Sequence, residues 1–199
     1  MKKIKNILAS ASPRRKNLLE KIGFTFDVKP SNIIENLNLN LEPADFSKYW
    51  AHKKAQQVAK EHINSIVIGA DTIVTINNKV LGKPKNRDDS ISMLRMLSGE
   101  THQVITGMCL INNKLDFSII YHTKTKVYLN PYNDKEIIDY IDNENPNDKA
   151  GSYGIQDSFA KHVRKIDGCF YNVMGLPLAK FYKNYNKMIN KILENDTYN

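Results

Sequence analysis

The sequence contains little cysteine, no long hydrophobic run and no recognisable metal-ligand spacing. Its two cysteines, Cys109 and Cys169, lie far apart and outside any C-x-x-C pattern, which argues against a disulfide framework or a zinc site. No stretch approaches a membrane-spanning length, and the N-terminal segment "MKKIKNILAS" lacks the apolar region and cleavage site of a signal peptide. The five histidines fall in no spacing such as H-E-x-x-H. We therefore expect a cytoplasmic protein with reduced cysteines and no membrane partner.

Signals for nucleic-acid binding are also weak, although the chain is basic. Lysines and arginines number 29 against 21 aspartates and glutamates, a formal net charge of +8, which indicates an anionic partner. The lysines of the C-terminal segment, however, lie opposite an apolar stripe and are typical of a solvated helix face. No RRM, KH or helix-turn-helix signature is present, so no specific nucleic-acid partner is expected. Two function classes remain: an enzyme acting on an anionic substrate, and a basic nucleotide- or nucleic-acid-binding module without catalysis.

The 199 residues suit one domain with a full core or two small lobes, and no repeat or linker divides them. We predict a single domain over residues 1–199. Apolar periodicity predicts strands interleaved with helices and several antiparallel pairs, which indicates an α/β protein on a mixed sheet. The predicted strands begin with "KIKNILAS" and "FTFDVKPS". They continue with "SIVIGADTIVTI", a long β-branched strand that turns into "KVLGKP". The predicted hairpins are "HQVITGMCLI" with "DFSIIYHTKTKVYL", and "HVRKIDG" with "CFYNVMG", turned at Asp167-Gly168.

Five helices are predicted between these strands. One begins at Pro13, one runs from about Pro43 to His62, and "NDKEIIDYIDNENP" forms another. The segment "RDDSISMLRMLSG" predicts a helix capped near Asp88 or Asp89. The last helix has Pro177 near its start.

The opening helix breaks a local rule. In "ILASASPRRKNLLEKIG", Ser12 and Pro13 are typical of an N-cap and a first helical position, yet Arg14 and Arg15 occupy the first turn, where the helix dipole disfavours cations. A polyphosphate bound at this N-terminus would reverse that preference, because backbone N–H groups and guanidinium groups would bind the same anion. From this stretch alone, solvated surface arginines and a Ser12 that is only a cap explain the pattern equally well.

Asp71 interrupts the otherwise apolar strand "IVIGADTIVTI". Because an unpaired carboxylate inside a sheet costs several kcal/mol, Asp71 must face a cleft, pair with a cation or bind a metal, and a functional role is favoured over a buried ion pair. Gly69 and Ala70, just before it, would let a ligand approach the backbone. Thr72 points to the other face in a regular strand, but it can reach the same pocket at a bulge or strand end.

Two lysines stand apart from the surface charges. Lys54 lies within the apolar stripe of its helix, and an inward-facing lysine snorkels or meets an anion. Lys83 follows a glycine in "LGKP", but the phosphate-loop pattern G-x-x-x-x-G-K-[ST] is absent. Glu35 has no distinguishing signal of its own. Gln156 ends the loop "DKAGSYGIQ", and its amide suits a base edge, although composition alone indicates only a flexible loop.

Six segments together carry a family resemblance. "LASASPRR", "GADTIV", "LGKP", "MLRMLSGETHQVITG", "DKAGSYGIQ" and "GCFYNVMGLPL" stand in the order and spacing of the Maf family of nucleoside triphosphate pyrophosphatases, which the chain resembles from about Ile7 to Leu178. The resemblance implies a fold similar to the inosine triphosphate pyrophosphatases: a long, twisted mixed sheet flanked by helices, with a central cleft. It also implies hydrolysis of a nucleoside triphosphate to the monophosphate and pyrophosphate, assisted by a divalent cation, Mg²⁺ or Mn²⁺.

The resemblance also implies roles for site residues, motif by motif. It implies that Asp71 is the catalytic carboxylate and that Asp71 and Glu35 hold the metal. It implies three specificity positions, which are Arg14, Thr72 and Gln156. It implies a phosphate-binding group made of Ser12, Arg14, Arg15, Lys54 and Lys83.

Within the family, "SPRR", "GADT" and "YGIQ" are typical of the branch that acts on dTTP and UTP. The branch acting on 7-methyl-GTP has a tryptophan after the proline and a glutamine after the aspartate. We therefore expect dTTP and UTP, or modified pyrimidine nucleotides, as substrates in nucleotide-pool housekeeping. The chain departs after Gln156, where "DSFAKH" replaces a stretch that usually contains glycine, and this bears on the loop's flexibility and base preference. The oligomeric state is left open, a homodimer being one alternative.

Cleavage of a phosphoanhydride requires charge neutralisation, an in-line water and a stabilised leaving group. We expect the arginines and lysines to hold the β- and γ-phosphates and to stabilise the departing pyrophosphate. Asp71, or water held by the metal, delivers the nucleophile to the α-phosphorus. The sequence does not decide whether Asp71 activates the water itself or holds the metal that does so.

Overall fold

The structure is a computed structural model that describes residues 4–36, 39–77 and 79–197. The prediction of interleaved strands and helices is confirmed. The strands are β1 (Asn6–Leu8), β2 (Asp27–Val28), β3 (Ile66–Ile76), β4 (Lys79–Leu81), β5 (Thr101–Asn112), β6 (Phe117–Leu129) and β7 (Val163–Asp167). The α-helices are α1 (Pro13–Lys21), α2 (Pro43–Ala59), α3 (Arg87–Leu97), α4 (Asp134–Glu144), α5 (Phe170–Val173) and α6 (Leu178–Thr197). Four short 3₁₀ turns complete the described elements.

These strands form one mixed sheet of seven strands within the described residues, in the order β2-β1-β3-β5-β6-β7, with β4 paired to β3. Strand β1 runs parallel to both β2 and β3, with Ile7 opposite Val67. Strands β4 and β7 run antiparallel to β3 and β6. Strands β5 and β6 are neighbours joined by the 3₁₀ turn Asn113–Leu115, which is the predicted hairpin. The α/β, mixed-sheet class is therefore confirmed.

The chain divides into two compact units. The first comprises Met1–Asp71, Thr106–Thr123 and Gly175–Asn199, and the second comprises Thr72–Ile105 and Lys124–Met174. Strands β3, β5 and β6 each contribute residues to both units. The assignment of residues 1–199 to a single domain stays a prediction. Among the described residues, none of the helices is long and apolar enough to cross a membrane.

In the first unit, helix α2 packs against the sheet at very short range. A Cβ atom on Gly69 of β3 would lie 2.1 Å from the carbonyl oxygen of Ala51, and one on Gly107 of β5 would lie 2.2 Å from the Ser47 carbonyl. The helix presents a row of fully buried small side chains at four-residue spacing, which are Ser47, Ala51, Ala55 and Ala59. Gly69 therefore admits the helix backbone, and the expectation that it lets a ligand approach is wrong.

The second unit has its own apolar core. Leu94 and Leu97 of α3 and Val127 of β6 are fully buried, and they belong to the same cluster as Tyr153 and Phe159. Helix α4 begins with a capping box, in which the Asn133 side chain accepts from the Glu136 N–H and the Glu136 carboxylate accepts from the Asn133 N–H.

Two local predictions in the second unit are wrong. Helix α3 is capped by Asn86, whose Oδ1 accepts from the Asp89 N–H at 2.9 Å, and not by Asp88 or Asp89. Asp89 instead accepts from the backbone N–H of Lys85, so its carboxylate serves the loop before the helix.

The predicted hairpin at Asp167-Gly168 is the other error. Strand β7 pairs with β6, but the chain then enters the short helix α5 rather than a return strand. The backbone N–H of Cys169 donates to the Thr125 hydroxyl, and the Asn172 side chain donates to the same hydroxyl and to the Val104 carbonyl. These side-chain hydrogen bonds replace the ladder that a return strand would have formed.

We predict that replacing Gly69 with alanine destabilises the protein strongly, because the new methyl group must displace the backbone of α2 from β3. The expected loss is about 3 kcal/mol of unfolding free energy, measured by urea denaturation. The matched control is Gly23→Ala, where φ is +67° and no atom lies within 4 Å of the new Cβ, so that only backbone strain of about 1 kcal/mol is added. Equal losses in the two variants would contradict the close packing of α2.

Candidate active site

Three charged side chains of the first unit meet at one point. The Nζ atom of Lys54 lies 2.7 Å from Oδ1 of Asp71 and 2.6 Å from Oε1 of Glu35. The Lys54 side chain is 13% exposed, that of Asp71 6% and that of Glu35 32%. The lysine ammonium is thus shared by two carboxylates, of which one is buried and the other is open to solvent.

The Asp71 carboxylate is only half satisfied by the fold. Its Oδ1 accepts from Lys54, whereas its Oδ2 is buried and has no hydrogen-bond partner among the described residues. Burial raises the pKa of Asp71 above its ordinary value, and the negative charge of Glu35 adds to this, while Lys54 and Arg15 oppose it. Leaving a buried oxygen without a hydrogen bond costs free energy of folding. This oxygen is therefore an available acceptor for a ligand, a water molecule or a cation.

The backbone explains why these groups meet. Asp71 follows Gly69 by two residues in β3, and Lys54 precedes Ala55, one of the small residues by which α2 contacts that strand. The close approach of helix and strand therefore places Lys54 beside Asp71. Glu35 comes from the segment between β2 and α2, which contains no helix or strand among its described residues. The prediction that Lys54 faces inward is confirmed.

Arg15 adds a second buried cation to the same unit. Its Nε donates to the Gly175 carbonyl at 2.9 Å, and its Nη1 donates to the Ser10 hydroxyl at 3.0 Å. Burial lowers the pKa of Arg15, while the negative charges of Asp71 and Glu35 act in the opposite direction. The arginine at the N-terminus of α1 is therefore compensated by a carbonyl, a hydroxyl and two nearby carboxylates.

The remaining predicted groups of the first unit lie at the start of α1. Ser12 is the N-cap residue, but its side chain makes no capping hydrogen bond. Arg14 is half-buried and its charge acts on Arg15. Sequence reasoning missed Ser10, whose hydroxyl accepts from Arg15 and from the Ser12 N–H. Its place in "LASASPRR" is the signal that would have found it.

Three predicted residues belong to the second unit. Thr72 is half-buried and follows Asp71 directly in β3. Lys83 is exposed in the turn between β4 and α3. Gln156 is exposed and directly follows the buried Ile155. Their contacts with substrate stay predictions, as do the roles of the first-unit residues.

The two carboxylates of this site would bind a hard divalent cation only together with oxygen atoms of a bound substrate. Within the described ranges, no group of three or more His, Cys, Asp or Glu side chains is placed to hold a metal ion. Asp71 and Glu35 supply two carboxylates, and the partnerless Oδ2 of Asp71 is a ready oxygen donor. Magnesium commonly binds through one or two carboxylates plus substrate phosphates. The residues therefore fit the expected Mg²⁺ or Mn²⁺ site.

Fold and site together describe an α/β protein in which one lysine ammonium is shared by a buried and a more exposed carboxylate, with a buried arginine in the same unit. The chain belongs to the Maf family, because the family model described as Maf-like protein matches residues 5–188. It is 47% identical over 182 residues to a protein of Clostridium perfringens named dTTP/UTP pyrophosphatase, covering 90% of this chain and 95% of that one. It is 45% identical over 174 residues to a protein of the same name from Bacillus pumilus, covering 87% and 91%.

One solved structure, a nucleoside-triphosphatase / dITP/XTP pyrophosphatase from Mycobacterium abscessus, aligns with a TM-score of 0.41 at 11% identity, over 63% of this chain and 74% of that one.

We predict that Lys54→Met destabilises the protein in a pH-dependent way. The substitution leaves the Asp71 carboxylate buried without its cation, so the folded-state pKa of Asp71 rises further above the unfolded value. Ionisation then opposes folding increasingly as the pH rises through that pKa. We expect a loss of about 3 kcal/mol near neutral pH and a smaller loss as the pH falls toward the ordinary pKa of an exposed aspartate. Urea denaturation at several pH values measures the effect.

Two further variants make this result interpretable. Adding Asp71→Asn to Lys54→Met removes the buried charge and is expected to restore most of the stability lost near neutral pH. Lys48→Met removes an ion pair with Asp45 on the surface of the same helix and is expected to cost about 0.5 kcal/mol or less. A loss in Lys54→Met that does not depend on pH would contradict the assignment to Asp71.

Proposed function

We propose that this protein is a nucleoside triphosphate pyrophosphatase that hydrolyses dTTP and UTP to the monophosphate and pyrophosphate. The observation that carries the proposal is the buried Asp71 carboxylate, which has one oxygen on Lys54 and one without a partner. Membership of the Maf family supports it, as do relatives 41–47% identical over at least 87% of this chain that are named dTTP/UTP pyrophosphatase.

Asp71 acts on the nucleophile in this proposal. Its raised pKa brings the carboxylate closer to the operating pH, which makes it a stronger base than an exposed aspartate. The unpartnered Oδ2 accepts a hydrogen bond from the attacking water and orients it toward the α-phosphorus. Lys54 keeps the carboxylate ionised and in place, since its Nζ contacts the other oxygen.

In this proposal the phosphate tail meets the cations of the first unit, Arg14 and Arg15 at the start of α1 and Lys54 on α2, together with Ser12. Lys83 is proposed as a further phosphate-binding residue. Arginine suits this task because its planar donors match phosphate oxygens. In the alternative role that the sequence leaves open, Asp71 would instead hold a Mg²⁺ or Mn²⁺ ion together with Glu35. When bound, this ion supplies further neutralisation of the triphosphate charge.

Base selection is assigned to Arg14, Thr72 and Gln156. The exposed amide of Gln156 offers both a donor and an acceptor, as a pyrimidine edge requires. We place the enzyme in the cytoplasm, where it would clear canonical or modified pyrimidine nucleotides from the pool. A homodimer is the oligomeric state to be tested by light scattering.

We predict that Asp71→Asn lowers kcat for dTTP by about 1,000-fold, because the amide keeps the volume of the carboxylate but loses its charge and basicity. Release of monophosphate and pyrophosphate is measured over a panel of canonical and modified triphosphates, with Mg²⁺, with Mn²⁺ and after chelation. The matched control is Asp27→Asn, which removes an exposed ion pair with Lys5 in the same unit and is expected to retain full activity. Near-wild-type turnover in Asp71→Asn would refute the proposal. Nucleotide binding without cleavage by the wild type would favour the alternative function, a basic nucleotide- or nucleic-acid-binding regulator of cell division without catalysis.

We predict that Gln156→Glu changes the ratio of kcat/KM for dTTP to that for dGTP, because the carboxylate lacks the amide donor. A fall of about tenfold is expected for the loss of one donor to the base, while kcat for dTTP changes less. An unchanged ratio would remove Gln156 from base selection.

A further inference from the structure

A largely buried carboxylate, that of Asp157, connects several parts of the loop that carries Gln156. Asp157 accepts from the Phe159 N–H through Oδ1 and from the Tyr140 hydroxyl through Oδ2, each at 3.1 Å. The Nζ of Lys149 lies 3.5 Å from the same Oδ2. The side chains of Asp157 and Lys149 are 13% and 14% exposed, so this ion pair is largely shielded from water. Residues 149 and 157 bound the segment, which we call the 149–157 loop.

The same carboxylate is also connected, through the Tyr140 hydroxyl, to the backbone in the middle of the loop. The Gly154 N–H donates to the Tyr140 hydroxyl at 3.0 Å, and that hydroxyl in turn donates to Asp157. A Cβ atom on Gly154 would lie 2.1 Å from Oδ2 of Asp157. Tyr140 therefore bridges the middle and the end of the loop, and the glycine leaves room for the carboxylate.

An apolar anchor holds the other side of the loop. Tyr153 and Ile155 are each 5% exposed and belong to the core cluster that contains Phe159. The Tyr153 hydroxyl lies 2.7 Å from Nε2 of the buried His102. Gln156 is thus exposed between a buried Ile155 and a largely buried Asp157, so its side chain is presented by a backbone that is fixed on both sides.

We propose that Asp157 is a positioning residue for Gln156, and that its bonds to Tyr140 and Lys149 hold the 149–157 loop in the conformation that selects the base. The inference rests on the proposed function, because it assumes that Gln156 contacts the nucleobase. A side chain discriminates between two ligands only where its backbone is held in place, because a mobile donor adapts to either base edge. The "DSFAKH" segment therefore restricts the motion of the loop through its first residue, Asp157.

The test compares Asp157→Asn and Tyr140→Phe with the wild type. Both variants conserve side-chain shape, and each removes part of the bonding at Oδ2. We expect backbone amide exchange of the 149–157 loop to accelerate by about tenfold or more. We also expect the kcat/KM ratio of dTTP to dGTP to fall by about three- to tenfold, mainly through KM, with kcat for dTTP nearly unchanged.

A double variant separates positioning from a general structural effect. If Asp157 acts through Gln156, adding Asp157→Asn to Gln156→Ala leaves the dTTP to dGTP ratio of Gln156→Ala unchanged. The matched control is Asp134→Asn, which removes an exposed Arg95 ion pair at the start of the helix that carries Tyr140. This control is expected to change neither the exchange of the loop nor the ratio.

Each outcome decides the proposal. Faster exchange with a lowered ratio that depends on Gln156 supports it. Unchanged amide exchange in Asp157→Asn overturns it. Faster exchange with an unchanged dTTP to dGTP ratio also overturns it, and so does a ratio that falls further in the double variant than in Gln156→Ala. Failure of the proposed function is visible separately, as absence of dTTP and UTP hydrolysis by the wild-type protein before any variant is made.

Discussion

The ion pair between Lys54 and Asp71 is the constraint on which the first unit depends. A carboxylate in the middle of a strand, on a side chain that is 6% exposed, cannot stay ionised without a cation, since its desolvation costs several kcal/mol. The cation must come from a neighbouring element, and an ammonium at 2.7 Å requires that element to lie close. Glycines on β3 and β5 and the row of small residues on α2 make that approach sterically possible. The placement of Lys54 beside Asp71 therefore depends on the close packing of α2 against the sheet.

The same logic resolves the unusual first turn of α1. An arginine beside a helix N-terminus is opposed by the dipole, and burial of its guanidinium adds a desolvation cost. Arg15 is nevertheless buried, because the Gly175 carbonyl and the Ser10 hydroxyl satisfy two of its donors and because Asp71 and Glu35 supply negative charge. The local rule is broken because contacts from distant parts of the chain offset its cost.

Features that depend on local periodicity could be predicted from the sequence. The inward direction of Lys54 follows from its place in the apolar stripe of α2, and the hairpin of β5 and β6 follows from two alternating runs around a short turn. Features that depend on a distant partner could not. The role of Gly69 requires knowledge of α2, and the helix at Phe170–Val173 depends on Thr125, more than forty residues earlier. The Asn86 cap is local, but Asp88 and Asp89 offer equally plausible caps in the sequence alone.

Two largely buried aspartates differ in how far the fold satisfies their carboxylate oxygens. Asp157 has both oxygens engaged, by a backbone N–H, a tyrosine hydroxyl and a lysine, so a ligand could bind it only by breaking bonds that hold the loop. Asp71 has one oxygen engaged and one buried without a partner among the described residues. Native folds rarely leave such an acceptor unsatisfied, because it costs stability and contributes nothing to the folded state alone. The unsatisfied carboxylate oxygen, rather than burial or charge as such, therefore distinguishes Asp71 from Asp157, and it is the reason that the proposed function takes Asp71 as the base.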